Sequence, residues 1–474
     1  MLGRNPSEPS LFQMVDVESL VPANHQLRRI DAVLDLSFVP ETVAGCYSAD
    51  RGRPSIDPEL ALRMMLLGVL YDLSDRELCE EIQMHAGMRW FCRLNFHDPV
   101  PDHSTLSRLR GERWSESGLF DRLMDEVLRQ CSEAGLVSGR HLSVDGTEVR
   151  ADASVRSLTR RGPKGPDEQE PPKGASGSPG EPKPAGEPKP AGEWKGRGER
   201  YSNETHFSTT DPDARLYRKG NQKGARLVYL VHDLIDTRSR VILRRRATQA
   251  TGRAERDTAL EMVDDILNAT EELGLPHRPE ILTGDTAYGA TELITELVDR
   301  GIEPHVPLLA DEAPEEVPTW KRRTFNLERR RARDRKVKEV LARNRVREVH
   351  RTRGYTVSRK LRIRSEHLFA EVKNEHGLRR ARRRGQHRVE QQAKLSAVVQ
   401  NLKRLVAFCG RTGPGAAAEA ASPAPSRPGS WPQFAHLPLL FAHIQTIVAK
   451  VAFRLPIIGS PPPVAFRPLT ASGL

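Results

Sequence analysis

Residues 141–307 follow an order of apolar and amphipathic segments that few folds can accommodate. Their spacing predicts three strands (141–145, 227–235 and 241–246), a helix (255–273), a strand (281–282), a helix (291–300) and a strand (302–307). Strands in direct succession favour antiparallel pairing, whereas strands separated by helices favour parallel pairing. We therefore expect an α/β fold with a mixed sheet flanked by helices.

Two aspartates stand where the predicted strands end. The predicted order is that of a ribonuclease-H-like fold, in which Asp145 closes the first strand and Asp285 closes the fourth. Each has a glycine neighbour, Gly146 or Gly284, which lets a ligand approach the backbone. A single Asp-Gly pair is most often only a turn. Two of them at strand ends, where open α/β sheets collect their sites, favour a functional pair of carboxylates.

A third carboxylate is predicted on a helix within the basic part of the chain. Arg362, Glu366 and Lys373 are spaced four and seven residues apart and share one helical face. This spacing fits surface ion pairs, but it also fits a glutamate that faces the two aspartates between two phosphate-binding cations. Three carboxylates suit a two-metal phosphoryl-transfer site. Glu371 and Glu375 are competing candidates, and Glu371 points about 140° away from Glu366.

Positive charge is concentrated around that helix. The 474-residue chain has a formal net charge of +11. Residues 321–405 hold 29 lysines and arginines against 8 aspartates and glutamates, a net charge of +21, which leaves −10 for the rest. A solvated helical face normally mixes both signs, so this asymmetry predicts contact with nucleic-acid phosphates.

Composition excludes several protein classes. A charged fraction of 29% excludes a membrane protein over the whole chain. The five cysteines are widely spaced without a CxxC pair, which argues against a disulfide scaffold and a cysteine-based zinc site. Residues 1–10 lack the apolar segment of a signal peptide. We expect a reduced protein in the cytoplasm.

Three further regions are predicted around and within the sheet-forming part. Residues 1–120 form a helical DNA-binding domain, with helix starts at Asp57, Ser74 and Asp102 and an arginine-bearing helix containing Arg108 and Arg110. A generic helical bundle would show the same pattern. The catalytic domain is expected to span 121–408 and to contain a disordered, Pro- and Gly-rich insertion at 155–205. Residues 409–474 form a low-complexity linker and a tail whose apolar stretch is amphipathic rather than membrane-spanning.

The motifs resemble those of bacterial insertion-sequence transposases of the DDE (Asp-Asp-Glu) class. Arg362-x₃-Glu366-x₆-Lys373 is similar to that family's Tyr-Arg-Glu-Lys signature, with Arg359 in the place of the tyrosine. The stretches 144–147 (Val-Asp-Gly-Thr) and 283–289 (Thr-Gly-Asp-Thr-Ala-Tyr-Gly) resemble its first and second motifs. Residues 55–110 resemble its N-terminal helical domain, and the whole resemblance covers roughly 10–408.

The resemblance implies a mechanism and a set of ligands. Asp145, Asp285 and Glu366 would bind two Mg²⁺ or Mn²⁺ ions and cleave double-stranded DNA at the terminal inverted repeats. The freed 3′-OH would then attack target DNA. A homodimer or higher oligomer on DNA is expected. The residues expected to contact DNA are Arg108, Arg110, Arg359, Arg362, Lys373, Arg379, Arg380 and Arg382.

Other functions fit parts of the pattern. A metal-dependent nuclease of the same fold would use the same carboxylates, but it would not need the extended basic segment. An inactive DNA-binding derivative of a transposase would not need all three carboxylates. An RNA-binding protein is disfavoured, because aromatic residues make up only 5% of the chain.

Overall fold

The computed structural model describes residues 16–48, 55–161, 201–218, 224–308, 314–320 and 324–411. Residues 162–200 of the predicted insertion and residues 412–474 of the predicted tail lie outside this description. Met1–Phe408 form one compact unit, and Cys409–Leu474 form a second. Of the second unit, only residues 409–411 are described, as the end of a helix.

The helices fall into a group before the sheet and a group within and after it. Those before the sheet are α1 Val17–Leu20, α2 Gln26–Val33, α3 Val39–Val43, α4 Pro58–Leu70, α5 Asp75–Met84, α6 Ala86–Phe91, α7 His103–Arg108 and α8 Leu119–Glu133. The later helices are α9 Ala254–Ala269, α10 Thr291–Asp299, α11 Leu327–His350, α12 Arg353–Glu375 and α13 Gln386–Arg411.

Eight strands are assigned within the described ranges. They are β1 His141–Arg150, β2 Leu158–Arg160, β3 His206–Ser208, β4 Arg215–Tyr217, β5 Arg226–Asp236, β6 Ile242–Gln249, β7 Ile281–Thr283 and β8 Glu303–His305. The main sheet has the order β4-β5-β1-β7-β8, and β6 also pairs with β5. β1, β5 and β6 are antiparallel neighbours, whereas β1, β7 and β8 run parallel. The expected mixed α/β architecture with a helical N-terminal region is confirmed.

The predicted end of the first strand was wrong. Asp145 lies in the middle of β1 rather than at its end. The strand continues because its pairing with β5 continues, from Asp145 opposite Asp233 to Arg150 opposite Val228. On the other edge of β1, the pairing with β7 ends at Ser143. Asp145 therefore follows the end of one ladder while it remains inside the other.

Both ends of the predicted insertion at 155–205 contain regular backbone structure. Residues 155–157 form a single helical turn, and β2 pairs with β3 in a two-stranded sheet. The backbone N–H of Arg161 also donates to the carbonyl of Thr205 at 2.8 Å. These backbone hydrogen bonds order segments whose composition gave no strand pattern.

The N-terminal helices begin where their capping residues predict. Asp57 accepts a hydrogen bond from the N–H of Glu59 at the start of α4, and Ser74 and Glu77 form a capping box for α5. α4 is buried along most of its length, as its continuous apolar sequence predicts. Its side chains share one hydrophobic cluster with α8, β1 and α9, and α8 crosses the expected domain boundary at residue 120. That boundary stays a prediction.

The two faces of the sheet carry different helices. Asp233 of β5 faces α13, because it pairs with the buried Arg245, whose guanidinium also donates to Ser396 and Gln400. His232, the residue before Asp233, faces α9, since successive side chains of a strand point to opposite faces. No helix in the described ranges is both long and apolar enough to cross a bilayer.

α11 and the first half of α12 were not predicted from the sequence. Charged residues occupy most positions of α11, and its buried residues are few and lie near its C-terminal end. α12 begins nine residues before Arg362, the first residue that was expected on this helix. It packs against β1, β7 and β8, and its Ser365 reaches Asp145 of β1.

Candidate active site

Asp145 and Asp285 lie at the same level of two adjacent parallel strands. Ser143 of β1 is paired with Thr283 of β7, and each aspartate follows its strand's paired residue by two positions. Neighbouring strands are about 4.8 Å apart, so this register brings the two carboxylates to one edge of the sheet. Asp285 caps the turn 286–288 and accepts a hydrogen bond from the N–H of Ala287 at 2.8 Å.

Asp145 is held by groups from its own strand and from α12. Its Oδ1 accepts from the N–H of Gly146 at 2.9 Å, and its Oδ2 accepts from the hydroxyl of Ser365 at 3.2 Å. Arg362 Nη1 lies 3.7 Å from Oδ2. The side chain is only 13% exposed.

Two opposing effects act on the ionisation of Asp145. Burial raises the pKa of Asp145, and the negative charge of Asp285 raises it further. The hydrogen bond from Gly146, the positive charge of Arg362 and the hydroxyl of Ser365 lower that pKa, and the net result is a raised pKa. The buried Asp145 carboxylate is therefore affected by the negative charge of Asp285, which the charge of Arg362 opposes.

Glu366 is exposed on α12, and its neighbour Ser365 makes the contact with Asp145 instead. Successive residues of a helix point about 100° apart, so Glu366 lies beside the site rather than within it. Among the described side chains, the ligand atoms of Asp145, Asp285 and Glu366 do not all lie within 4.8 Å of one another. The role of Glu366 as a ligand stays a prediction.

The competing candidates Glu371 and Glu375 belong to a different part of the molecule. With His376 they form a group of three possible metal ligands. It is the one such group in the described ranges whose ligand atoms lie within 4.8 Å of one another. The Lys403 ammonium lies among them, 2.7 Å from Glu371, 2.7 Å from Glu375 and 3.3 Å from His376 Nε2. The ammonium supplies the positive charge there, so this group links α12 to α13.

The donor set at the aspartate pair fits a divalent cation. Carboxylate oxygens are the ligands that Mg²⁺ and Mn²⁺ prefer, and a cation between two such groups removes their repulsion. Asp145 and Asp285 provide these oxygens at one edge of the sheet. Burial is the main cause of the raised pKa of Asp145, and the charge of Asp285, which a bound cation would offset, adds to it.

Five of the residues expected to bind DNA lie together in one groove. It has a volume of about 890 Å³ and separates the N-terminal helices from the segment that joins α12 to α13. The five are Arg110, Lys373, Arg379, Arg380 and Arg382. Lys373 thus lines this groove rather than flanking Glu366 at the aspartate pair.

The remaining expected DNA contacts lie elsewhere. Arg362 is beside Asp145, while Arg108 and Arg359 are exposed and do not line the groove. Acidic residues also line it, and they pair with the arginines: Arg382 with Asp72 and Arg110 with Asp75.

Four residues near the aspartates were not singled out from the sequence. They are Ser365, Tyr288, His232 and Glu255. Tyr288 lies in the second motif and Ser365 in the third. Their closeness in sequence to Asp285 and Glu366 could have identified them. His232 lies inside a strand and Glu255 in the first turn of a helix, where neither has a distinctive local pattern.

Comparisons with known families agree with the motif resemblance. The family described as "Transposase domain (DUF772)" matches residues 15–112, which cover most of the N-terminal helices. The family described as "Transposase DDE domain" matches residues 138–402, more than half of the chain. No solved structure matches the chain. The protein therefore belongs to the DDE transposases of insertion sequences, nucleic-acid-processing enzymes that bind DNA and generally use divalent metal ions.

Proposed function

We propose that this transposase has a ribonuclease-H-like catalytic core that cleaves DNA at the terminal inverted repeats of its element. The freed 3′-OH end is then joined to target DNA. The observation that supports this most directly is the placement of Asp145 and Asp285 on adjacent parallel strands, two residues beyond a paired position. The strand order, with three antiparallel strands followed by two parallel ones, supports the ribonuclease-H-like core.

Asp145 and Asp285, together with Glu366, would hold two Mg²⁺ or Mn²⁺ ions. Such ions stabilise the charge on the attacking and leaving oxygens of a phosphodiester. Ser365 and the N–H of Gly146 fix the orientation of the Asp145 carboxylate, which limits its reorganisation during the reaction. Arg362 places a positive charge next to the pair, where it would attract the scissile phosphate.

The DNA would run from the aspartate pair along the basic groove. Arg379, Arg380 and Arg382 would hold phosphates there, and the N-terminal helices would read the terminal repeats. Recombination needs two ends held together, so the working form would be a homodimer or larger assembly on DNA. Its place in the cell would be the nucleoid within the bacterial cytoplasm.

The first test replaces each carboxylate by its uncharged isostere. Asp145→Asn, Asp285→Asn and Glu366→Gln should each slow cleavage of a DNA substrate carrying the element's ends by about a thousandfold, since each removes a cation ligand. Binding of the same DNA, measured by fluorescence anisotropy, should change little. Glu261→Gln, an exposed glutamate on α9, is the matched control.

Two results would contradict this function. Cleavage by Asp145→Asn or Asp285→Asn at the wild-type rate would exclude the site, and the same result for Glu366→Gln would exclude only the third ligand. Strand transfer is followed with a labelled 3′-OH end and a target plasmid. If the wild-type protein gives cut ends without joined products, it acts as a nuclease.

A further inference from the structure

Three polar side chains approach the space that a side chain of Gly146, the residue after Asp145, would occupy. Gly146 has no side chain, and a Cβ built on it would lie 3.3 Å from His232 Nδ1, 3.7 Å from Tyr288 Oη and 3.8 Å from Glu255 Oε1. Gly146 is paired with His232 across the β1–β5 ladder. Three side chains that are distant in the sequence therefore converge next to Gly146, on the face of β1 opposite to the Asp145 side chain.

Two of these three groups are buried and lack a partner. Tyr288 is 1% exposed and His232 is fully buried. In the part of the chain that the structure describes, neither Tyr288 Oη nor His232 Nδ1 forms a hydrogen bond. His232 Nε2 is already engaged with Thr248 Oγ1 at 2.8 Å. Buried polar groups of native proteins are rarely left unpaired, so these two atoms are candidates for contact with a polar ligand.

The N-terminal end of α9 brings the Glu255 carboxylate to this space. Glu255 lies in the first turn of α9, and the following residue, Arg256, donates from Nε to the carbonyl of Ala287 at 3.2 Å. This contact ties the start of α9 to the turn that begins at Asp285. α9 and α12 flank the two faces of the sheet, so Glu255 approaches the aspartates from the face opposite to Ser365 and Glu366.

The surroundings of Tyr288 carry a concentration of negative charge. Burial raises the pKa of the Tyr288 hydroxyl well above its ordinary value, and the charges of Glu255, Asp145 and Asp285 raise it further. A protonated phenol can donate one hydrogen bond to a carboxylate. The positive charge of Arg362 lies on the opposite face of the sheet, where its Nη1 is 3.7 Å from Asp145 Oδ2.

We propose that Glu255 is a further carboxylate ligand of the divalent-cation centre at Asp145 and Asp285, and that Tyr288 is its positioning residue. This inference rests on the proposed function, because it assumes that the aspartate pair binds cations. The Tyr288 hydroxyl, which forms no hydrogen bond in the described residues, would donate its hydrogen to the Glu255 carboxylate when the cation binds and keep that carboxylate turned towards the aspartates. Glu255 and Glu366 thus serve the centre from opposite faces of the sheet.

Mn²⁺ binding to the purified full-length protein tests this directly, without reference to activity. Free Mn²⁺ is measured by electron paramagnetic resonance during a titration in the absence of DNA. Glu255→Gln should weaken Mn²⁺ binding by about a hundredfold and Tyr288→Phe by about tenfold, in the range known for ligands and for the groups that orient them. Glu261→Gln on the same helix should bind as the wild type does.

A thermal melt of each variant in EDTA separates lost ligation from lost folding. Tyr288→Phe should melt within a few degrees of the wild type, whereas a purely structural tyrosine would shift the melt and leave Mn²⁺ affinity unchanged. If Glu255→Gln does not fold, Glu255→Asp replaces it, and its shorter side chain should weaken binding by about tenfold.

The outcomes distinguish this inference from the function on which it rests. Wild-type Mn²⁺ affinity in a folded Glu255 variant, with binding lost in Asp145→Asn, would overturn the role of Glu255 and leave the aspartate site intact. Wild-type affinity in Asp145→Asn would overturn the proposed cation site itself.

Discussion

Asp145 is the residue on which most of the site's features converge. It lies inside a strand, it is largely buried, and it faces a second carboxylate. Its raised pKa means that the ionised form is less stable in the folded protein than in water. The N–H of Gly146, the charge of Arg362 and the hydroxyl of Ser365 offset part of this cost. Perturbed pKa values of this kind are common at functional sites.

Ser365→Ala should slow DNA cleavage by roughly tenfold, since a hydrogen bond to a charged group contributes about 1.5–3 kcal/mol. The expected cause is a less well oriented Asp145, so affinity for the DNA ends should not change. Single-turnover cleavage and anisotropy measure the two effects separately. Ser239→Ala is the matched control, because Ser239 also donates to an aspartate, Asp236, at 2.8 Å. Unchanged cleavage by Ser365→Ala would show that the hydroxyl has no orienting role.

At the scale of elements, the position of α12 depends on a polar network at its N-terminal half. Ser358 of α12 lies 2.5 Å from His305 Nδ1 of β8 and 3.1 Å from His141 Nε2 of β1. His305 Nε2 lies 3.0 Å from the Glu303 carboxylate. This network attaches α12 to both strands, seven residues before the Ser365 contact with Asp145. These contacts hold the N-terminal half of α12 in place, and so they set the position from which Ser365 contacts Asp145.

The pH dependence of stability should report on this network. Burial and the neighbouring His305 together lower the pKa of His141 to about 4, against the opposing charge of Asp236. The unfolded chain binds a proton near pH 6.5 that the folded protein does not bind until about pH 4, so stability falls as the pH drops through this window. By pH 5 the loss should be about 1–2 kcal/mol, allowing for the partial exposure of the ring.

His141→Asn removes this titration and tests its size. Urea unfolding at pH 7.5 and pH 5.0 should show a smaller decrease for His141→Asn than for the wild type, by about 1–2 kcal/mol. His103→Asn is the control, since His103 is half-exposed and lies in α7, away from this network. Equal decreases in the wild type and His141→Asn would show that His141 does not contribute to acid sensitivity.

At the scale of the whole molecule, the basic groove joins the two regions that match transposase families. Arg382, from the segment after α12, pairs with Asp72 beside α4, and its guanidinium also donates to the carbonyl of Leu73. His376 Nδ1 lies 3.1 Å from the carbonyl of Val69 in α4. The groove is thus formed by contacts between residues about 300 positions apart. Phosphates entering it would compete with Asp72 for the arginine.

Arg382→Ala should weaken DNA binding in a salt-dependent way. Loss of one phosphate contact lowers the slope of log affinity against log salt concentration by about 0.9, and this reduction should not depend on DNA sequence. Anisotropy titrations between low and moderate salt measure it. Arg140→Ala provides the control, because Arg140 is also an exposed arginine paired with a carboxylate, Glu280, and it lies outside the groove. An unchanged salt slope for Arg382→Ala would place the DNA elsewhere.

The sequence alone determined the order of the longer strands and helices in the sheet region and singled out the two aspartates. Hydrophobic periodicity and capping residues act over a few positions, so they can be recognised without knowledge of the fold. The helix starts predicted at Asp57 and Ser74 were correct for this reason. The motifs around Asp145, Asp285 and Glu366 identified the family, because each motif is a short contiguous stretch.

The tertiary structure decided everything that depends on distant residues. The β5 ladder extended β1 past Asp145, and the docking of α12 put Ser365 rather than Glu366 against the aspartate. The convergence of Glu255, His232 and Tyr288 on Gly146 and the pairing of arginines across the groove also arise only on folding. Local spacing encodes which face a side chain occupies, but the partner on that face is set by how separate elements pack.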